Sequence, residues 1–375
     1  MQRKPLYLKI YNDLENHILN GSLAVGDKIY TESEIMEKYD VSRITAARAL
    51  NELENSGYIE RKRRIGSFVT DTKRDKSTAM IYEKSKTDVL HIALVTSYPA
   101  NIGFDIFSYI IRNSDKHHIL TSVHVSGDSA KSESDILKNI LKMNTDGLIC
   151  VPVEKPSNLS LYMQLLQKGV PVVFLDRHLP WVDIPYVATD NFQAMYNLTE
   201  WVITEGNRKI AFFLNSTGIS TESERLHGFI QALKDYEIPL DDRYLLELDE
   251  DKVDDFDKQD ERRNNRIGDF LSFMARADSL PDIIMCVNDK LAVQTAAQVK
   301  KLGMSIPNDI AITGFDNDHI SGLLDVPLTT VEQNYDILGK KAIELLFAIK
   351  NKEPVPSKVL VDAPLLIRDS TRKSK

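Results

Sequence analysis

The stretch Tyr39–Leu53 reads YDVSRITAARALNEL; TESE precedes it at Thr31–Glu34 and RKRRIGSF follows at Arg61–Phe68. A Ser or Thr oxygen accepts from the free N–H groups of a helix's first turn, and a Glu three residues later bonds back. Thr31 and Glu34 therefore open a short helix carrying Ile35, Met36 and Tyr39. Ser42 opens a third, whose Ala46, Ala49, Leu50 and Leu53 share one inward face and which Gly57 closes. In the first helix Tyr7, Tyr11, Leu14 and Ile18 recur at steps of four, three and four between Pro5 and Gly21. Tyr58–Arg61 and Phe68–Thr70 read as strands around Lys62–Ser67. Three helices and a basic hairpin make a winged helix-turn-helix of residues 1–70. Such a domain lays the first turns of its third helix in a DNA major groove, which puts Arg43, Ile44, Ala47 and Arg48 near base edges and phosphates. The hairpin tip, with Arg63 and Arg64, reaches phosphates or a minor groove.

Charge is distributed to match. Residues 1–70 hold eleven Lys/Arg against ten Asp/Glu, whereas residues 89–375 hold 31 against 41. A nucleic-acid binder with an acidic body must concentrate its cations locally, and Arg61–Arg64 is such a cluster. Residues 71–88, DTKRDKSTAMIYEKSKTD, are polar and aperiodic and read as a linker. The N-terminal MQRKPLYLKIYNDLENHIL has no apolar run behind its positive charges, and nothing approaches the ~18 apolar residues of a membrane span. A cytoplasmic protein with no membrane partner is expected. Cys150 and Cys286 sit in separate apolar runs, so no disulfide is expected either.

Beyond the linker, short apolar runs alternate with helical stretches: HIALVTS, LTSVHVS, DGLICVP, PVVFLDR, YVATD, KIAFFLN, IIMCVND and IAITGFD. That rhythm predicts an α/β fold of parallel sheets covered by helices. A stretch of 89–375 is long for one such unit, and two lobes divide it sensibly. Asp241–Arg266, strongly acidic, reads as a solvated excursion without metal-ligand spacing. Open α/β sheets bind ligands at the carboxyl ends of their strands. Asp190, Asn288, Asp289, Asp316 and Asn317 stand at such ends, and Arg225 opens the helical RLHGFIQAL. Carboxylates accept from paired hydroxyls and Arg donates in a fork, so the set suits a polyol or sugar, although each strand-terminal Asp alone equally fits a helix cap.

These segments resemble two known families. PLYLKIYNDLENHILNG, TESE, VSRITAARALNELENSGYI and GSFV are similar to the DNA-binding domain of the GntR family over residues 4–70. The resemblance implies that Glu32, Ser42, Arg43, Thr45 and the wing around Gly66 lie at the DNA interface. Two residues depart from the family pattern: Ala47 where Arg is common, and Arg64 where the wing usually has the first Gly of G-x-G-T-F. DGLI, PVVFLDR, VATDN, GNRKIAF, SERLHGFIQAL, CVNDKLAVQ, LGMSIPNDIAITGFDN and PLTTVEQ resemble the LacI/GalR family from about His91 to Arg368. That implies a type I periplasmic-binding-protein-like domain of two lobes joined by three crossovers, about 89–190 plus 330–358 and about 191–329 plus 359–375. Its effector contacts fall on Arg225, Asn288, Asp316 and Gln333. Asp190 lies near the cleft or serves a crossover, and Ser97, Tyr98 and Phe104 are first-lobe candidates whose aromatics equally fit the core. A GntR-type head on a LacI-type body resembles the arabinose-repressor subgroup.

Enzyme chemistry finds no foothold. G-x-G-x-x-G, G-x-x-x-x-G-K-[ST] and G-x-S-x-G are all missing, and His117, His118 and His124 lack further ligands at zinc spacing. No metal or cofactor is called for. The expectation is a homodimeric regulator reading a palindromic duplex and answering to a small-molecule effector between its lobes. The rival is a cytoplasmic sugar receptor without specific DNA binding.

Overall fold

The computed structural model describes residues 6–19, 22–55, 58–62, 66–70, 89–98, 100–155, 157–179, 182–215, 218–248 and 256–372, and separates into two units after Val89. Pro5, Gly21, Gly57, Arg63, Arg64 and the 71–88 linker lie outside the described residues.

The first unit contains α1 (Leu6–Leu19), α2 (Glu32–Tyr39), α3 (Arg43–Asn55), β1 (Ile59–Lys62) and β2 (Gly66–Val69). The capping box at Thr31 forms as the residue types demand: Glu34 N–H donates to Thr31 Oγ1 at 3.3 Å and Thr31 N–H to the Glu34 carboxylate at 2.7 Å. Those bonds stabilise the ionised form and hold Glu34 below the usual carboxyl range. Ala46, Ala49, Leu50 and Leu53 of α3 pack with Ile35 of α2 and with Ile10, Leu14 and Ile18 of α1. The buried stripe of α1 thus runs through Ile10, and Tyr7 and Tyr11 lie half-buried at its margin. The hairpin is paired further out than its sequence suggests. Ile59 faces Val69 and Lys62 faces Gly66, so the turn is shorter than Lys62–Ser67. Lys28 bridges Phe68, and Ile29 N–H donates to Ser67 O at 2.9 Å, adding a third short rung to the wing.

The second unit has two parallel sheets. In the first lobe β3 (Leu90–Thr96), β4 (Ile119–Val125), β5 (Gly147–Val151), β6 (Val172–Leu175), β7 (Tyr186–Thr189) and β13 (Lys358–Val361) pair in the order β13-β7-β6-β5-β3-β4. α4 (Ala100–Arg112) and α11 (Tyr335–Lys350) cover one face; α5 (Ala130–Ile140) and α6 (Leu159–Gln167) cover the other. In the second lobe β8 (Ile210–Asn215), β9 (Leu245–Leu248), β10 (Ile283–Cys286) and β11 (Ala311–Thr313) pair as β11-β10-β8-β9. α7 (Asn191–Thr204), α8 (Ser220–Asp235), α9 (Phe256–Arg276) and α10 (Asp289–Lys301) pack around them. Alternating βαβ sequence forces this architecture, because parallel neighbours need a helical return across a sheet face. Gly228 sets one helix contact: a Cβ there would stand 2.3 Å from Phe192 O, so only glycine lets α8 close on α7. Cys150 in β5 and Cys286 in β10 are buried in different lobes.

Two expectations need correction. Asp241–Arg266 is no mere excursion: β9 pairs in parallel with β8, and α9 begins within the acidic run, burying Ile267 and Leu271. Its charges are the outer face of ordered elements. The lobe boundaries also shift. β13 belongs whole to the first sheet, beside β7, so the last crossover follows Val361 and not residue 358. β12 (Thr330–Val331), which the sequence division assigned to the first lobe, pairs with β14 (Leu365–Leu366), and Val331 packs in the second-lobe core.

Candidate nucleic-acid interface and ligand cleft

The first turn of α3 is presented outward. Ser42 Oγ accepts from Thr45 N–H at 3.3 Å and lies 3.0 Å from Thr45 Oγ1. Arg43 Nε donates to Glu32 Oε2 at 3.1 Å, yet the Arg43 side chain remains 80% exposed. An exposed pair of this kind contributes little to folding and is easily exchanged for a phosphate or a base edge. Ser42, Arg43, Thr45 and Glu32 thus form one polar cluster at the start of α3. Arg48 is also exposed, with its guanidinium 4.0 Å from the centroid of Tyr7, a stack that fixes its direction. Gly66 has φ +131° and Lys28 lies against it: a Cβ at Gly66 would meet Lys28 Cε at 2.7 Å. Lys28 is thereby a cation on the wing that sequence reading missed, because its strand rung is too short to show periodicity.

In the second unit the strands of each lobe end at a common cleft. Arg225, on α8 and 4% exposed, donates from Nε to Asn191 Oδ1 and from Nη1 to Val287 O, both at 2.8 Å. Its Nη2 lies 3.1 Å from Asp316 Oδ1, and its plane sits 3.7 Å from the Phe315 ring centroid. Gln333 Nε2 donates to the same Asp316 oxygen at 2.7 Å, and Thr189 Oγ1 of β7 donates to Gln333 Oε1 at 2.8 Å. A continuous chain therefore runs from the first lobe through Gln333 to Asp316 and Arg225. Asp316 occupies φ +117°, a conformation non-glycine residues rarely adopt, held by these bonds. Desolvation raises its carboxyl to about 7 in spite of the Arg225 charge beside it. Desolvation likewise lifts Glu224 to about 7, reinforced by the charges of Asp176 and Asp190.

The opposite wall is less complete. Tyr98 OH donates to Asp176 Oδ2 at 2.6 Å, and burial with the Asp176 charge holds the phenol well above its ordinary value. Arg177 lies 4.6 Å from the Tyr98 centroid and reaches Asp128 Oδ1 at 2.6 Å. Ser97 Oγ, Asp176 Oδ1 and Arg177 Nε are buried with no hydrogen-bond partner among the described residues. Buried polar atoms left unpaired cost about 1–3 kcal/mol each, and three of those among the described residues gather on this one wall.

Of the sequence candidates, the structure brings Tyr98, Arg225, Asp316 and Gln333 together. Ser97 is fully buried beside Tyr98. Asn288 accepts from Leu291 N–H at 2.9 Å and Asp190 from Gln193 N–H at 3.0 Å, so each caps a helix, α10 and α7 respectively. Asp289 accepts from Ser321, Thr330 and the Asp318 N–H, which occupies its carboxylate in holding the second lobe. The Phe104 side chain lies outside the described residues. Missed were Asp176 and Arg177, although they end β6 in the quoted PVVFLDR and the strand-end rule applies to them equally. Glu224 and Tyr335 were missed because neither stands at a strand end.

Among the described residues no helix is long and apolar enough to cross a membrane, and no group of three or more His, Cys, Asp or Glu residues is arranged to hold a metal ion. Residues 6–69 match the gntR family of bacterial regulatory proteins and residues 199–371 match a periplasmic binding protein-like domain. The chain is 27% identical over 380 residues to an arabinose metabolism transcriptional repressor of Geobacillus stearothermophilus, covering 98% of each. It is 26% identical over 280 residues to the HTH-type transcriptional repressor CytR of Escherichia coli, covering 71% of this chain and 75% of that one. In fold it is similar to the transcription regulator CcpA of Lactococcus lactis, with TM-score 0.65 and 21% identity over 76% of this chain and 100% of that one. A LacI family regulator from Enterococcus faecium, solved with bound ribose, gives TM-score 0.61 and 23% identity over 76% and 100%.

Proposed function

We propose, from the premise that this chain joins a DNA-binding domain of the gntR family to a periplasmic-binding-protein-like domain, that it represses carbohydrate-utilisation genes under the control of a sugar held in the cleft. The chain is a DNA-binding transcriptional regulator, and one observation carries the finer reading: the exposed polar turn of α3 and a cleft lined by unpaired polar atoms occur in the same polypeptide. Arg43, Ser42 and Thr45 meet base edges and phosphates, while Glu32, Arg48, Gly66 and Lys28 orient the head, with Arg63 and Arg64 extending the wing. Two copies of the chain, paired about a two-fold axis, read a palindromic site in the cytoplasm. The cleft binds and does not transform its ligand.

The ligand class follows from charge. Even with Glu224 and Asp316 half-protonated near pH 7, these two with Asp176, Asp190 and Glu154 outweigh Arg177 and Arg225 around the cleft, so a phosphorylated or acidic sugar meets repulsion. Neutral hydroxyls can donate to the carboxylates and accept from the two guanidinium groups. Asp176 Oδ1, Ser97 Oγ and Arg177 Nε bind from the first lobe; Arg225, Asp316 and Gln333 bind from the second, with Tyr98 closing one side.

A gel-shift titration tests the reading. Purified full-length protein should retard duplex from upstream of its own gene, and L-arabinose or ribose should move the midpoint by a coupling of about 1–3 kcal/mol. Arg43→Ala should abolish specific retardation while leaving the thermal shift with the same sugars intact. A sugar-dependent thermal shift without any retarded duplex would instead support a sugar receptor.

A further inference from the structure

One contact between the lobes belongs to neither wall of hydroxyl-binding groups. α8 starts at Ser220, and Ile219 at its N-cap has a hydrocarbon side chain with no oxygen for the helix's first N–H groups. The oxygens come from the other lobe. Ser220 N–H lies 3.0 Å from both Glu154 carboxylate oxygens, and Ser220 Oγ donates to Glu154 Oε1 at 2.8 Å. A carboxylate at a helix N-terminus is also favoured by the helix dipole.

Glu154 is itself held in place. Its neighbour Val153 donates its N–H to Glu133 Oε2 at 2.5 Å. Glu133, on α5 and fully buried, also accepts from Asn158 Nδ2 at 3.1 Å and Tyr162 OH at 2.8 Å. The loop after β5 is therefore fastened to the first lobe, and Glu154 projects from a fixed base. Asp105 Oδ2 and His319 Nε2 also approach each other across the lobes, at 3.7 Å, with side chains 46% and 90% exposed. Such a pair contributes little.

We propose that Glu154 is an inter-lobe clasp: a first-lobe carboxylate that caps α8 of the second lobe when the cleft is closed and so sets the balance between open and closed forms. Opening breaks three hydrogen bonds and uncaps the helix that carries Glu224 and Arg225. The clasp acts with or without a sugar, so its test does not depend on the ligand assigned above.

The test is a distance. Spin labels on cysteines introduced at the exposed Lys142 of the first lobe and Lys234 of the second report lobe separation by pulsed electron resonance in the full chain, since both native cysteines are buried. In sugar-free protein Glu154→Ala should lengthen the mean distance by more than the width of the parent distribution. Glu154→Gln, which keeps one acceptor oxygen, should fall between the two, and Asp105→Ala should leave the distribution unmoved. Ser220→Ala, which removes the hydroxyl bond to Glu154 and the acceptor of the first-lobe His178 N–H, should broaden it slightly and serves if Glu154→Ala does not fold. Parent-like distributions for Glu154→Ala and Glu154→Gln, or for Glu154→Gln and Ser220→Ala should Glu154→Ala not fold, would overturn the clasp.

Discussion

The two walls of the cleft solve the same problem differently. Each lobe ends a strand on an aspartate at positive φ, Asp176 at +66° in the first and Asp316 at +117° in the second, and each sets an arginine near it. In the second lobe the arginine and aspartate are locked together, with Asn191, Val287 O and Gln333 taking up the remaining bonds. In the first lobe Asp176 and Arg177 face other partners, Tyr98 and Asp128, and each keeps one buried atom unpaired. One wall is already paired within the protein, and the other holds the atoms that the ligand of the proposed function would complete. Such a division suits a sensor: a rigid wall gives orientation at low entropic cost, and an unfinished one converts ligand hydroxyls into binding energy.

This contrast can be broken by experiment, the largest effect coming from the finished wall. Arg225→Ala removes the cation beside Asp316 and the donors to Asn191 Oδ1 and Val287 O; because Asp316 is half-buried and can take up a proton, the loss should be about 2–3 kcal/mol, below the cost of breaking a fully buried pair. Urea unfolding of the body should lose stability on that scale, and the gel shift should no longer answer to sugar. A variant as stable and as responsive as the parent would show that the wall is not built on this pair.

A smaller effect is expected from the unfinished wall. Asp176→Asn keeps the shape and one acceptor oxygen but removes the charge. Stability should stay within about 1 kcal/mol, because the retained oxygen still accepts from Tyr98 OH and an unpaired buried carboxylate oxygen is exchanged for an unpaired amide. Sugar affinity, measured by calorimetry, should fall by roughly tenfold or more, since a hydrogen bond to a charged group is worth about 1.5–3 kcal/mol. Equal losses of stability at both walls would erase the distinction.

The smallest effect is a pH dependence. Asp316 and Glu224 have folded values of about 7 against ordinary values of 3.8 and 4.5, so the folded protein binds more protons in that window. Those carboxyls therefore favour folding as pH falls through 7 and cost stability above it. Hydroxyls donating to the ionised forms expel the protons, and sugar affinity runs the other way. It should drop by about fivefold for each group the ligand contacts between pH 7 and pH 6, and Asp316→Asn should flatten the curve. Affinity constant from pH 8 to 6 would remove these two groups from the ligand's contacts.

Much of this molecule is legible in its sequence for physical reasons. Caps such as Thr31–Glu34 and Ser42 are local, involving residues three apart, and eight of the strands are apolar runs, all but the edge strand β4 buried on both faces. Arg225 and Asp316 stand out in the sequence through the family resemblance, since a strand-terminal Asp alone reads equally as a cap, and the structure places the two in contact. What stayed hidden depends on partners distant in sequence. β9 is half-exposed and embedded among acids, so its period is masked by Asp and Glu. The two-residue strands β12 and β14 have no pattern at all. Asp190 and Asn288 look identical in sequence to ligand contacts, and only their bonds to Gln193 and Leu291 N–H groups reveal them as caps. Glu154 gives no local sign, because the helix it caps begins 66 residues away.

The excursion of the chain through α11 and β13 before its return at β14 has a practical meaning for anyone handling this protein. Neither half of the body is a continuous piece of polypeptide: residues 335–361 complete a layer of helix and sheet begun at residue 90, and Leu365 packs on a core begun at Ala194. A single protease cut at any one passage leaves the halves tied by two others, so nicked material would migrate as an intact particle until denatured. Truncation from the carboxyl end, by contrast, would remove a strand from both halves at once.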